Sequence, residues 1–296
     1  MKKLSRNAMI GYPAGIITGI AYGLNPLFAM PLMNEGASTE SILLFRYSIA
    51  VILLGAFLLL KRETFKINMR QAFVLLSLGL LFTASSILLF ESYKYIASGL
   101  ATTLSFLFPV FVAIIMVFLK VVPSIPVWLA IAATFAGVVI MSAGDGTQTV
   151  SALGVFLASA SAFAYALFIV VINRSKSIST ISDSLLTFYA LLVGAVVFSV
   201  MSLTSDSELL TGLDSTMAWV NLVGLAVIPT IVSMATLAVS TRNIGATKTS
   251  VLGVFEPITA ILVGTLVFGE ALTSNIIIGI SIAVIAVLFM IVVTKR

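Results

Sequence analysis

Long apolar stretches, separated by short polar segments, make up nearly the whole of this chain. We count ten such stretches of about 20 residues, the length that an α-helix needs to cross roughly 30 Å of hydrocarbon. The pattern therefore predicts ten membrane-spanning helices. Only two of the connections between them, Ala143–Ser151 and Ser205–Thr216, are substantial loops. The predicted spans are Ala8–Met30, Ser41–Leu60, Gln71–Tyr93, Ser98–Leu119, Val127–Met141, Leu153–Val171, Leu185–Leu203, Ala218–Ser240, Lys248–Phe268 and Asn275–Val293.

The composition excludes most soluble classes of protein and most catalytic chemistry. Of the 296 residues 60% are hydrophobic and 9% are charged, and the mean hydropathy is +1.20, far more apolar than a soluble core requires. The absence of Cys excludes disulfides, and the absence of His removes the commonest metal ligand and general base. We therefore expect no metal, no cofactor and no catalytic residues. The remote alternative, a membrane enzyme, would need a nucleophile, a metal cluster or paired acids.

The first residues, MKKLSRN, resemble the start of a signal peptide. The apolar run that follows them is too long, contains Pro13 and lacks a small-x-small cleavage motif. The sequence therefore predicts a retained first span.

Basic residues are distributed unevenly between the two predicted sides of the membrane. Fourteen of the sixteen Lys and Arg residues fall on one side, which predicts an integral cytoplasmic (inner) membrane protein with both termini in the cytoplasm. Topology thus explains the net charge of +5, and we expect no nucleic-acid partner. The fourteen are Lys2, Lys3, Arg6, Lys61, Arg62, Lys66, Arg70, Lys120, Arg174, Lys176, Arg242, Lys248, Lys295 and Arg296; the other side holds Glu35, Glu40, Asp145, Asp206, Glu208, Asp214 and Glu270, with Lys94.

One stretch occurs twice, as Tyr93–Leu119 and Asn243–Glu270. Aligning Pro109 with Pro257 also aligns Ile96 with Ile244 and Leu104 with Leu252. A second similarity relates the first and sixth spans, where small residues recur every four positions and allow another helix backbone to approach closely. These small residues are Gly11, Gly15, Gly19 and Gly23 in one span and Gly154, Ala158, Ala162 and Ala166 in the other.

The two similarities predict an all-α integral membrane protein with ten transmembrane helices arranged as two inverted five-helix repeats. Five spans per repeat is an odd number, so the second repeat must enter the membrane from the opposite side. We assign residues 1–142 to the first repeat, 143–152 to a linker and 153–296 to the second repeat. Many transporters use inverted repeats to build alternating gates around a site near the membrane midplane.

Few polar side chains are available to line such a site. Tyr22 and Asn25 lie on one face of the first span together with Thr18, and four prolines predict helix breaks that free backbone groups. Each Ser or Thr taken alone is better explained by hydrogen bonds between helices or to its own helix backbone. The candidate substrate-binding residues are Tyr22, Asn25, Arg46, Tyr47, Ser85, Tyr165, Tyr189 and Ser233, and the predicted breaks are at Pro26, Pro109, Pro229 and Pro257.

Three charged residues within the spans require an explanation, because a charge inside the membrane is costly. Arg46 either lines the site or extends to the outer interface. Glu91 lies three residues before Lys94, which favours a structural ion pair. Glu256 shares a small, polar helix face with Gly253 and is expected to point into the bundle. Its role is either substrate or proton handling, or bracing of the proline-broken helix through backbone N–H groups.

Several motifs resemble the drug/metabolite transporter superfamily, and most closely its ten-span EamA-like exporters. They are the Phe45-Arg46 pair, the fourth span with Pro109, and FEPITAILVGTLVFGE at Phe255–Glu270. The first repeat departs from the pattern, since Phe108 stands where the second copy has Glu256 and Lys120-Val121-Val122 stands where that copy has Phe268-Gly269-Glu270. Any role of paired acids therefore rests on the second repeat alone.

The resemblance implies a carrier that moves small organic metabolites, often amino acids, usually outward. It also implies a cavity lined by spans one to four and six to nine, with spans five and ten as peripheral supports. The expected partners are a small-molecule substrate and the lipid bilayer, with protons as a candidate coupling ion and a monomer as the working unit.

Two mechanisms remain open for such a carrier. In one, Glu256 exchanges a proton and couples export to the proton gradient. In the other, Glu256 is structural and the substrate gradient drives a uniporter or exchanger. The aromatic residues favour an amphipathic solute. The alternative function is proton-coupled multidrug efflux, in which Glu256 is the counter-ion of a lipophilic cation.

Overall fold

The computed structural model describes residues 6–96, 101, 104–142, 151–204, 209–267 and 274–293, and these ranges contain helices and connections but no strand. Thirteen α-helices are described: α1 Arg6–Gly23, α2 Asn25–Asn34, α3 Thr39–Leu60, α4 Met69–Ser92, α5 Phe108–Phe118, α6 Ile125–Ser142, α7 Ala152–Arg174, α8 Asp183–Thr204, α9 Thr216–Ala226, α10 Ser233–Ile244, α11 Ala246–Leu252, α12 Phe255–Val267 and α13 Ser274–Val293.

Seven helical segments are long and apolar enough to cross a membrane, which confirms an all-helical membrane architecture for most of the predicted spans. They are Arg6–Asn34, Thr39–Leu60, Met69–Ser92, Ala152–Arg174, Asp183–Thr204, Thr216–Ile244 and Ala246–Val267. Three shorter apolar helices, Phe108–Phe118, Ile125–Gly137 and Ile277–Ala286, lie at the positions of predicted spans four, five and ten. The count of ten spans therefore stays a prediction.

Several sequence features fall outside the described residues. They include most of the predicted linker 143–152, part of the predicted loop Ser205–Thr216, and the Phe268-Gly269-Glu270 end of the motif. The same holds for Lys2, Lys3, Asp145, Asp206, Glu208, Lys295 and Arg296 of the charge pattern. The predicted sidedness of the chain stays a prediction.

Helix interruptions lie at or beside the prolines within the spans. The turn at Leu24 separates α1 from α2, and Pro26 follows at the start of α2. The first N–H groups of a helix have no partner within it, so the N–H that proline lacks costs no hydrogen bond there. A similar turn separates α11 from α12, whose first residues are Phe255, Glu256 and Pro257. Between α9 and α10 the chain forms a π-helical segment, Val227–Val232, which contains Pro229. Such widened turns free backbone carbonyls inside the bundle.

The row of glycines on α1 packs directly against α10, α11 and α12. A methyl group on Gly15 would clash with Leu252 and Ser240, and one on Gly23 would lie 2.5 Å from the carbonyl oxygen of Glu256. The first and sixth spans make equivalent contacts. A methyl group on Gly11 would lie 2.5 Å from Ile244, and one on Gly154 would lie 2.8 Å from Ile96, the residue that the repeat alignment pairs with Ile244.

The first testable prediction concerns this close approach of α1 and α12. We expect Gly23→Ala to lower the melting temperature of the purified protein, because the new methyl group meets backbone atoms of Glu256 at 2.5 and 3.1 Å. Overpacking of this kind costs about 1–3 kcal/mol. The matched control is Gly55→Ala, whose methyl group would meet only the Phe188 ring, at 3.1 Å. Equal melting temperatures for the two variants would contradict the close packing.

The helices at the positions of predicted spans five and ten, α6 and α13, pack chiefly along each other. The helices that carry the candidate polar residues pack together elsewhere: α1 contacts α10 and α12, α4 contacts α7, and α3 contacts α8. The polar candidates therefore lie within one bundle made from both halves of the chain.

Candidate functional site

A small cavity lies where the two halves of the chain meet. Its volume is about 10 Å³, which corresponds to roughly one water molecule. The lining comes from α1, α4, α5 and the residues just before it, α7 and α12. The lining residues are Tyr22, Ser85, Leu89, Ser105, Phe108, Ser161, Ala162, Tyr165 and Glu256.

Aromatic rings form one wall of the cavity. Tyr22 and Tyr165 stack with ring centroids 6.0 Å apart and an interplanar angle of 15°. Phe108 meets Tyr165 edge to face at 5.0 Å. Phe108 and Glu256, which the repeat alignment places at equivalent positions, thus line the same cavity. The two repeats contribute an aromatic ring from one side and a carboxylate from the other.

Glu256 is the acid of this cavity, and only 8% of its surface is exposed. It lies in the first turn of α12, where its backbone N–H donates to the carbonyl of Gly253 at 2.8 Å. Within the described part of the chain no group donates a hydrogen bond or pairs a charge to its carboxylate. The expectation that Glu256 points into the bundle is confirmed. Bracing of the broken helix by hydrogen bonds from backbone N–H groups to its side chain is not what the structure shows.

Arg46 is fully buried in α3, so the alternative in which it extends to the outer interface is wrong. Its Nε donates to Thr230 Oγ1 at 2.6 Å and its Nη2 donates to the Pro229 carbonyl at 3.5 Å. The Thr230 hydroxyl donates in turn to the Leu225 carbonyl at 2.8 Å. Arg46 therefore binds one backbone carbonyl and one side-chain hydroxyl of the π-helical segment, where the regular α-helix is interrupted. Its third nitrogen, Nη1, finds no acceptor of hydrogen-bond geometry among the described residues, and Tyr22 is a further polar side chain that interacts with the guanidinium.

Tyr22 lies close to both buried ionisable groups, Arg46 and Glu256. Its hydroxyl interacts electrostatically with the Arg46 guanidinium and with the Glu256 carboxylate. Tyr165 also interacts with Glu256 and with Tyr22. Arg46, Tyr22, Glu256 and Tyr165 thus form a continuous polar cluster across the bundle, although Arg46 itself does not line the cavity.

Ser85 and Tyr47 adjoin this cluster, whereas Asn25 is buried and does not line the cavity. Ser85 contributes to the cavity wall, and Ser161 Oγ donates to the Ser85 carbonyl at 2.7 Å. Asn25 is 5% exposed, and neither its Nδ2 nor its Oδ1 has a hydrogen-bond partner. Tyr47 is buried and does not line the cavity, and its hydroxyl is hydrogen-bonded to Ser86 at 2.7 Å.

Two other candidates lie away from the cavity. Tyr189 was expected opposite Arg46 and Tyr47 by repeat symmetry, but its hydroxyl donates to the Phe65 carbonyl in the α3–α4 connection at 2.6 Å. Ser233 is buried at the start of α10 and does not line the cavity.

The candidate site residues missed five residues of the cavity wall and one partner of Arg46. Thr230 binds Arg46, and the missed wall residues are Leu89, Ser105, Phe108, Ser161 and Ala162. The repeat alignment places Phe108 at the position of Glu256, and this could have predicted that Phe108 lines the cavity. No local pattern links Arg46 to a threonine 184 residues away. The predicted ion pair between Glu91 and Lys94 is confirmed, with Lys94 Nζ 2.6 Å from Glu91 Oε1.

Comparisons with known proteins agree with this architecture. The sequence profile described as "EamA-like transporter family" matches residues 9–143 and again residues 152–292. A solved structure described only as "Crystal structure of protein" is similar over 98% of this chain and 100% of that chain, with a TM-score of 0.82 and 14% sequence identity. At that identity the likeness shows the fold alone. A comparison with curated proteins finds none that matches this sequence.

Proposed function

Because the chain belongs to the EamA-like transporter family, we propose that this integral membrane transporter exports small organic metabolites across the cytoplasmic membrane by alternating access. The leading substrate class is amino acids and related amphipathic solutes. The observation that carries the proposal is a buried carboxylate, Glu256, which has no partner in the part of the chain that the structure describes and lies in a cavity that both repeats build. A charge left unpaired inside a membrane bundle is kept for a ligand or ion.

The size of the cavity supports alternating access rather than a permanent pore. A volume of about 10 Å³ is too small for any metabolite, so this conformation is closed around the site. The site must widen when substrate enters. The interruption between α11 and α12, at Gly253 and Val254, lies directly before Glu256 and offers a place where the ninth span can bend.

A second candidate function, efflux of lipophilic cations, is favoured by one specific observation. Glu256 lines the same cavity as the stacked rings of Tyr22 and Tyr165, and a carboxylate together with aromatic rings is a favourable environment for a cation. In this alternative the proton and the drug compete for Glu256.

The test is transport by the purified chain in proteoliposomes, with a panel of amino acids and lipophilic cations. We expect an imposed pH gradient to drive accumulation of at least one amino acid, and a protonophore to abolish it. Liposomes without protein give the background. A labelled cysteine introduced as Arg70→Cys, in a chain without native Cys, reports the orientation and hence the direction of transport. Accumulation of cations without amino acids would favour the second function, and transport of neither class would refute both.

A further inference from the structure

Two groups of helices build most of the cavity wall. In the α1 group, α1 packs against α10 and α12, and in the α4 group, α4 packs against α7 and α8. The α1 group contributes Tyr22 and Glu256 to the wall, and the α4 group contributes Ser85 and Tyr165. Because the cavity is too small for any metabolite, a solute can leave it only after the surrounding helices separate. Contacts that join the two groups therefore decide whether an end of the bundle is closed.

Arg242, in the last turn of α10, joins the α1 group to the connection between α7 and α8. Its Nη1 donates to the Ile181 carbonyl at 2.6 Å, and its Nη2 donates to the Ile178 carbonyl at 3.1 Å. Its Nε lies 3.0 Å from Oδ1 of Asp183, the first residue of α8. All three nitrogens of the guanidinium thus contact one short segment. A planar fork can bind several acceptors at once in this way, whereas a lysine ammonium cannot.

The connection between α7 and α8, residues 175–182, is also bound to the first half of the chain. We call this connection the strap. Gln71 Nε2, at the start of α4, donates to Thr180 Oγ1 of the strap at 3.3 Å. Just before the strap, Asn173 Nδ2 of α7 donates to the Thr241 carbonyl of α10 at 3.2 Å. The strap therefore joins α4 to α10 at one end of the bundle.

The contacts of Arg242 lie near water and away from the cavity. The side chains of Arg242 and Asp183 are 24% and 26% exposed. Tyr165 of the cavity wall lies nine residues before Arg174, the end of α7, which is roughly 14 Å along a helix. Water can replace the partners of a partly exposed ion pair, so breaking the pair costs little. Bonds of this kind can form and break once in every transport cycle.

The repeat alignment pairs Arg242 with Lys94, which lies at the opposite end of the bundle, just after α4. Lys94 Nζ lies 2.6 Å from Oε1 of Glu91, a residue of the last turn of α4. The equivalent basic residues are thus used differently in the two halves. Lys94 pairs within its own helix end, whereas Arg242 joins two groups of helices.

We propose that Arg242 and the strap form the gate at this end of the bundle, which the charge pattern predicts to be cytoplasmic. The proposal rests on the proposed transport function and names the residues that control one of its gates. While Arg242 binds the two strap carbonyls and Asp183, α10 cannot move away from the α4 group at this end. Release of these bonds lets the two groups separate and opens the cavity toward the strap side.

The experiment measures how fast a membrane-impermeant methanethiosulfonate reacts with a single cysteine in the cavity wall. The chain has no native Cys. The Ser105 hydroxyl lies in the wall and has no hydrogen-bond partner among the described residues, so Ser105→Cys removes no bond that these residues make. Right-side-out and inside-out membrane vesicles each present one end of the bundle to the reagent. A separate Arg70→Cys chain, labelled next to Gln71, identifies the vesicles that present the strap side.

We expect Arg242→Gln, in the Ser105→Cys chain, to raise the reaction rate from the strap side by about tenfold or more, because loss of one charge-assisted hydrogen bond shifts the equilibrium between closed and open by about that factor. Asp183→Asn removes only the ion pair and keeps both carbonyl bonds, so its rate should lie between the rates of the unmodified gate and of Arg242→Gln. From the opposite side, neither variant should react faster.

Two matched controls test whether the effect belongs to the gate. Arg174→Gln removes an exposed basic residue at the same end of the bundle, and Lys94→Gln removes the repeat-equivalent base at the opposite end. Each should leave the strap-side rate within about twofold of the unmodified gate, as expected for exposed charges.

Several results would overturn the gate. One is an unchanged strap-side rate in Arg242→Gln protein that elutes as a single folded species, and another is an equal rise from both sides, which indicates general loosening. A rise of the same size in Lys94→Gln would do so too. If Arg242→Gln yields no folded protein, Asp183→Asn carries the test, and an unchanged strap-side rate then rejects the gate. The reaction needs no substrate, so a chain that transports no member of the panel refutes the proposed function while the gate is still measured.

Discussion

Replacement of Glu256 by glutamine is expected to reduce pH-gradient-driven accumulation of amino acids to the level of protein-free liposomes. Glutamine keeps the size of the side chain but carries no charge and exchanges no proton. No other acid lines the cavity that the structure describes, so no neighbour can take over the role. The groups that face Glu256 are the hydroxyls of Tyr22 and Tyr165, and beyond Tyr22 the Arg46 guanidinium. The measurement is initial uptake in proteoliposomes with and without a pH gradient.

Glu91→Gln is the matched control for this prediction. It makes the same chemical change in a partly exposed ion pair near the end of α4, where loss of the pair with Lys94 costs at most about 1 kcal/mol. We expect its uptake to equal that of the unmodified chain. If Glu256→Gln also keeps full gradient-driven uptake, proton coupling through Glu256 is refuted and a uniporter or exchanger remains. Loss of cation efflux with intact amino-acid transport would instead assign Glu256 to drug binding.

Replacement of Arg46 by methionine is expected to have the second largest effect, this time on stability. Methionine matches the length of the stem but donates nothing to Thr230 Oγ1 or to the Pro229 carbonyl. A hydrogen bond to a charged group contributes about 1.5–3 kcal/mol, and the variant loses the 2.6 Å bond from Arg46 to Thr230. We therefore expect a lower melting temperature of the purified protein and a loosened π-helical segment.

Two comparisons make the Arg46 prediction specific. Arg46→Lys should recover only part of the stability, because one ammonium group cannot replace the planar fork that reaches two acceptors on the π-helical segment. Arg174→Met removes an exposed arginine that makes no such bonds, and its melting temperature should equal that of the unmodified chain. Equal melting temperatures for Arg46→Met and Arg174→Met would show that the bonds to the π-helical segment do not support the fold.

The location of the spans was predictable because it depends on local composition. A run of about 20 apolar residues is costly anywhere except in a membrane or a core, and a helix satisfies its own backbone hydrogen bonds. The small-residue row on the first span was predictive for a similar reason, since Gly11, Gly15 and Gly23 can be buried only where another helix comes close. Repeat symmetry correctly related the environments of Gly11 and Gly154.

The same symmetry failed where side chains differ between the repeats. Tyr189 bonds to the α3–α4 connection, and Phe108 occupies the place of a second acid within the cavity. Pattern and alignment describe backbone positions, whereas the direction and partner of a polar side chain depend on every neighbouring element. For this reason the role of Arg46 was open between the site and the outer interface until its partners were known.

By itself, the sequence determined a helical membrane protein with a duplicated architecture, because apolar length and small-residue spacing are properties of neighbouring residues. It also identified Glu256 as the acid to explain. Only the tertiary structure decided that Glu256 has no partner among the described residues, that Arg46 binds the π-helical segment, and that Tyr22 lies close to both. These relations join residues far apart in the chain, and only the packing of the helices brings them together.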